Sequence, residues 1–157
     1  MLAGGRDVGL KKNKVLVRRF YKEVWDNGNV EFAERVFRED YVRHDLRPTT
    51  AASGAAGQAR IAADFRRAFP DLRFAVDLVF GEDDLVVARW TASGTNTGLW
   101  GEVEPTGTRA TFSGVNIFRF KKGKVAEVWN HRDDLGLMEQ VGTHIHGGAV
   151  KGGDTRS

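Results

Sequence analysis

The stretch AFPDLRFAVDLVFGEDDLVVARW, residues 68–90, changes its hydrophobic period partway along, and that change decides the fold class. Just before Pro70, Ile61, Phe65 and Ala68 recur at helical spacing over about Gln58–Phe69. Proline then stops the helix, because it offers no amide hydrogen and biases the preceding residue away from helical angles. Beyond it the period is two. Phe74, Val76, Leu78 and Phe80 alternate with Arg73, Ala75, Asp77 and Val79, and the acidic turn GEDD leads into LVVARWTASGTN, which places Val86, Ala88 and Trp90 on one face.

Upstream the signal is helical. Leu16, Phe20 and Val24, flanked by Val17, Tyr21 and Trp25, form a wide apolar stripe over about Lys12–Asn27 that ends at Gly28. Asn29 then reads as the cap of a shorter helix with Val30, Ala33, Val36 and Phe37 facing inward. Downstream, ATFSGVNIFRF (110–120) puts Phe112, Gly114, Asn116, Phe118 and Phe120 on one face and Thr111, Ser113, Val115 and Ile117 on the other. The turn KKGK leads into VAEVWNHRD (125–133), and LGLMEQV (135–141) is a short helix. Helices followed by strands predict an α+β domain: three N-terminal helices packed on a curved antiparallel sheet, with a short C-terminal helix. The domain is expected over 13–142, between a flexible N-terminus (1–12) and a flexible C-terminal tail (143–157). The small-residue loop 45–57 and the glycine-rich loop 94–108 are candidate pocket rims.

Composition excludes several functions. The chain has 24 basic and 21 acidic residues, interspersed, so no stripe suits a nucleic acid. It has no cysteine, which removes disulfides, thiolate chemistry and cysteine metal sites. No apolar run is long enough for a membrane span and no leader is visible, so a cytoplasmic protein is expected. Of the histidines, His144 and His146 fall in the tail and none has zinc-type helical spacing, so no metal is expected. A glycine-rich nucleotide motif and a G-x-S-x-G elbow are both missing, and no cofactor is expected.

Strict alternation along 125–133 sets Val125, Glu127, Trp129, His131 and Asp133 on one face. With Trp90, Asn116 and Phe118 this describes an aromatic-walled cavity containing a few polar groups, suited to a flat hydrophobic ligand bearing carbonyls or hydroxyls. At the end of such a cavity Asp133 is poorly hydrated and is a candidate general acid/base; His131 is a candidate partner. Either Asp133 or Asp134 can cap the following helix, which needs only one cap. His44, with Tyr41 nearby, is placed at the cavity mouth.

These residues resemble a family. AFPDLRFAVDLVFGEDDLVVARWTASGTNTG, EPTGTRATFSGVNIFRFKKGKVAEVW and DDLGLMEQVG, over about 13–142, are similar to the SnoaL-like polyketide cyclases of the nuclear transport factor 2-like superfamily. The resemblance implies a cone-shaped α+β barrel, a homodimer formed through the sheet, and a buried pocket that uses no cofactor. It implies ring closure of an anthracycline-type polyketide by intramolecular aldol condensation, with Asp133 at the position of the acid/base aspartate. Many members have GTHTG where this chain has GTNTG, so Asn96 is placed near the pocket. Some relatives are hydroxylases. An epoxide hydrolase, which needs an Asp-Arg-Asp arrangement, and a non-catalytic ligand-binding dimer are further alternatives.

Overall fold

A computed structural model describes residues 3–44, 54–146 and 149–152, with side chains for 4–44 and 54–142. Helix α1 (Ala3–Phe20) runs straight into a π-helical turn, Tyr21–Asp26. A 3-10 turn (Val30–Phe32), the single-turn α2 (Ala33–Val36), strand β1 (Phe37–His44) and helix α3 (Gly54–Ala68) follow. Then come β2 (Arg73–Glu82), β3 (Leu85–Thr95), β4 (Arg109–Lys121), β5 (Lys124–Arg132), α4 (Asp134–Val141) and a hairpin of β6 (Thr143–His146) and β7 (Ala149–Gly152). The main sheet has the order β1-β5-β4-β3-β2. Phe20 and Val24 from the first helical segment and Phe65 and Phe69 from α3 bury themselves with Val86, Ala88, Phe112 and Phe118 of the sheet. The α+β expectation is met, and among the described residues no helix is long and apolar enough to cross a membrane.

Several details differ from the sequence reading. The sheet is not wholly antiparallel, because β1 lies between α2 and α3 in the chain and pairs with β5 in parallel. Its sequence, FREDYVRH, buries only Phe37 and Tyr41 and reads as polar, so the strand is hidden from pattern analysis. Helix α1 extends back to Ala3, where Leu10 packs on the core and Asp7 and Lys11 pair one turn apart at 3.8 Å. Asn29 makes no side-chain cap bond. Residues 143–146 and 149–152, expected to fray, pair as β6 and β7. The side chains of His144 and His146, and loop residues 45–53, lie outside the described residues.

Two bulges matter most. In β2, Val76 pairs with Trp90 and Leu78 with Arg89, so Asp77 is an extra residue; in β5, Val125 pairs with Phe120 and Glu127 with Arg119, so Ala126 is extra. An inserted residue reverses the alternation beyond it. Phe74 and Val76 therefore face the helices as expected, but Val79 replaces Leu78 on that face, leaving Leu78 55% and Phe80 56% exposed.

Three of the motifs that carry the resemblance, AFPD, GTNTG and EPTGT, form one structural latch. Asp71 of AFPD accepts hydrogen bonds from the Thr95 amide (2.6 Å) and hydroxyl (2.8 Å), which hold its carboxyl below the usual range. Asn96 is fully buried. Its Nδ2 donates to the carbonyls of Ala68 and Gly98, while its Oδ1 accepts from the Thr106 amide and hydroxyl. Gly98 approaches so closely that a Cβ there would stand 2.0 Å from the Arg67 carbonyl oxygen. Thus α3, the end of β3 and the EPTGT segment are fastened at Asn96.

Candidate active site

The inner face of the sheet and the helices enclose a cavity. Its aromatic wall is built by Phe74, which stacks on Tyr21 (5.6 Å, 17°) and lies 4.7 Å from the Trp90 ring, and by Phe65, 5.6 Å from Phe112. The π-helical turn contributes directly. Its wider i→i+5 spacing brings Tyr21, Trp25 and Asp26 inward together, and the first two line the cavity. About 30 Å³ is open to the centres of water-sized molecules, room for about two waters, so a ring-sized ligand requires these walls to part.

Polar groups on the cavity wall are connected. Asn116 Oδ1 accepts from Tyr21 Oη and Trp90 Nε1, both at 2.7 Å, and Asn116 Nδ2 donates to Asn130 Oδ1 at 2.8 Å. Burial pushes the Tyr21 hydroxyl well above its ordinary value of 10.0, so it stays a neutral donor. On the helix side Gln58, 6% exposed, faces Tyr41 Oη at 3.4 Å. The charged residues lining the cavity, among those described, are Arg43 and Arg132. The Arg132 guanidinium lies 4.6 Å from the centre of the Phe65 ring and is held through Nε by Asp134; the pair is largely buried, with side chains 11% and 15% exposed. A wall of this kind offers donors and positive charge to carbonyl oxygens or to an enolate formed from one.

The expected site residues divide. Trp90, Asn116 and Phe118 line the cavity, and Tyr41 is buried beside Gln58. Trp129, His131 and Asp133 do not line it, which corrects the facing read from alternation: the Ala126 bulge turns Val128, Asn130 and Arg132 inward instead. On the outer face His44 stacks on Trp129 (4.7 Å, 16°) and bonds Glu127 (3.1 Å), and Arg119 bonds the same carboxylate (2.8 Å). Exposed His131 and Asp133 border an open depression of about 510 Å³ on that face, which Asn130, Arg132 and Asp134 also line. Asp133 is the α4 cap, its Oδ1 accepting from the Gly136 amide at 2.9 Å. Asn96 belongs to the latch and does not line the cavity.

Sequence reasoning missed Tyr21, Gln58, Asn130 and Arg132. Tyr21 lies within the helical stripe and reads as core; Asn130 and Arg132 are visible as polar residues on a strand, but strict alternation sets them on the face opposite the cavity. Gln58 carried no signal beyond being a polar residue at a helix start. No group of three or more histidine, cysteine, aspartate or glutamate side chains able to hold a metal occurs among the described residues.

The helices and the curved sheet form an α+β barrel around an aromatic cavity. The SnoaL-like polyketide cyclase family model matches residues 15–141, and the chain belongs to that family. A putative polyketide cyclase from Bacillus cereus ATCC 10987 is similar at 28% identity, over 81% of this chain and 78% of that one, with a TM-score of 0.69. AclR, a putative hydroxylase from Streptomyces galilaeus, is similar at 26% identity over 85% and 82%, with a TM-score of 0.74. TsrD from Streptomyces laurentii shares the fold at 23% identity over 84% and 96%, with a TM-score of 0.76. Comparison with curated protein sequences gives no significant match.

Proposed function

We propose that the protein closes a ring of an aromatic polyketide by intramolecular aldol addition inside the cavity. The observation that carries this reading is the composition of the cavity wall, chiefly aromatic rings with two aliphatic side chains, Ile61 and Val128, and a few amide, hydroxyl and guanidinium groups. A flat polyketide fills such a space with its rings and meets the donors with its carbonyls. The reaction moves one proton from carbon to a base, joins the enolate carbon to a second carbonyl and reprotonates the resulting alkoxide. It is redox-neutral, so the proposal needs neither metal nor cofactor. The enolate oxygen is stabilised by preorganised donors.

Proton transfer is assigned in this proposal to Asp134. The family resemblance points to Asp133, but Asp133 is exposed and committed to the α4 cap, whereas Asp134, which also borders the outer depression, is largely buried and bonded to Arg132 of the cavity wall. The test uses an anthraquinone whose adjacent side chains carry a β-keto ester and a methyl ketone. The expected product has one more ring and an unchanged mass. Asp134→Asn should lower turnover by about 10²–10⁴, the usual contribution of general acid/base catalysis, while Asp133→Asn leaves it nearly intact. The reverse pattern would move the role to Asp133. A product heavier by one oxygen would replace cyclisation by hydroxylation, the activity suggested for AclR.

The outer face of the sheet exposes Leu78 and Phe80. Val115 and Ile117 of β4 are partly buried opposite the cavity. The proposal includes a homodimer formed through this face.

A further inference from the structure

We propose that Asn130 is the carbonyl-reading residue of the cavity, and that its amide is oriented by a relay beginning at Trp90. The inference rests on the cavity being the ligand site and identifies which atom a bound carbonyl meets. An indole N–H can only donate, so the atom of Asn116 that it meets at 2.7 Å must be the amide oxygen. The neutral Tyr21 hydroxyl donates to the same atom. With its oxygen fixed there, Asn116 presents NH₂ to Asn130, so the Asn130 atom at 2.8 Å must be oxygen as well. The orientation passes along the wall, leaving the Asn130 NH₂ as the outward end of the relay.

That NH₂ donates to no group among the described residues, and Asn130 lines the cavity as well as the edge of the outer depression. A donor left over on the cavity wall favours a ligand that brings an acceptor. Gly114 makes the arrangement possible. It pairs with both Trp90 and Arg132, and a Cβ on it would stand 2.4 Å from Trp90 Cζ2, so only a glycine lets the indole lie close enough to the strand to reach Asn116. Gln58 offers a second carboxamide from the helix side. Its rotamer is not dictated in the same way, because the Tyr41 hydroxyl can donate or accept. Ligand selection is therefore assigned to the Asn130 end. The class selected is a polycyclic aromatic ketone or quinone, in preference to an arene of the same shape without carbonyls.

Binding of 2-hydroxyanthraquinone and of 2-hydroxyanthracene, which lacks the two carbonyls, separates this from plain apolar affinity; quenching of tryptophan fluorescence reports both. Wild type should prefer the quinone by a margin of which about three- to tenfold is lost in Asn130→Ala, the equivalent of one neutral hydrogen bond. Asn130→Asp keeps the acceptor for Asn116 but replaces the NH₂ by oxygen, so it should weaken the quinone still further and leave 2-hydroxyanthracene almost unchanged. Trp90→Phe removes the indole N–H that fixes the relay and should relax the preference without abolishing it. A collapsed cavity would weaken both molecules equally, so the ratio reports the relay and not stability. An unchanged ratio in Asn130→Ala and Asn130→Asp would overturn the assignment while leaving the cavity as the binding site. If neither molecule binds the wild type, the reading of the cavity falls, and this assignment with it.

Discussion

Asp133 and Asp134 are adjacent in sequence and have different surroundings. Either could have capped α4. The backbone gives that place to Asp133, because the residue just before the first helical turn has its side chain within reach of the third amide, here Gly136. Asp133→Ala should therefore cost about 0.5–2 kcal/mol of stability, read by urea denaturation, with turnover little changed. Gly114 makes the complementary case: Gly114→Ala forces a methyl group into the Trp90 indole, and should destabilise by about 1–3 kcal/mol, the usual cost of overpacking a core. At this scale the sequence identified Trp90, Asn116 and Phe118 as cavity residues, because β4 and this part of β3 keep strict alternation. It could not choose between two aspartates, since the choice depends on where α4 begins to within one residue.

At the scale of the element, the bulges account for the largest departures. Asp77 and Ala126 carry no glycine or proline that would mark an insertion, so period-two patterning carried Leu78 and Phe80 inward and Asn130 and Arg132 outward, against the observed pairing. The π-helical turn was likewise invisible, since an apolar stripe looks the same for the few residues involved. That turn is tied to β2 by Asp26, whose side chain accepts from Lys22 Nζ at 2.6 Å and from the Phe74 amide at 3.2 Å. Burial alone would raise the Asp26 carboxyl, but these two bonds, with Lys22 and Arg73 nearby, bring it below its ordinary value of 3.8. A carboxyl depressed in the folded state contributes stability that is fully present above its unfolded value and is lost as pH falls through the folded one. Urea denaturation of the wild type should show this loss below pH 3.8, and Asp26→Asn should remove that part of the pH dependence; an identical slope in the variant would deny Asp26 the role. The latch is a second element-scale case. Asn96→Ala leaves the Thr106 amide and two carbonyls without their partner and should cost about 1–3 kcal/mol, with quinone binding unaffected at a temperature where the variant is folded.

For the molecule as a whole, the α+β class and the sheet's position after the helices were legible, because helical and strand periods occupy different parts of the chain. The parallel strand β1 was not, since an edge strand with two buried side chains leaves almost no pattern. The outer face of the sheet gives a separate test of assembly: sedimentation should show twice the 17.4 kDa chain mass, and Phe80→Lys should shift the equilibrium toward monomer. The rings of the ligand are proposed to bind inside the barrel and not in the depression on the outer face, which His131, Asp133 and Asp134 border. A crystal structure of the protein with 2-hydroxyanthraquinone tests this most directly. The quinone is expected between Trp90 and Phe65, with a carbonyl oxygen within hydrogen-bond distance of Asn130 Nδ2. A quinone seated only against His131 and Asp133 would contradict it.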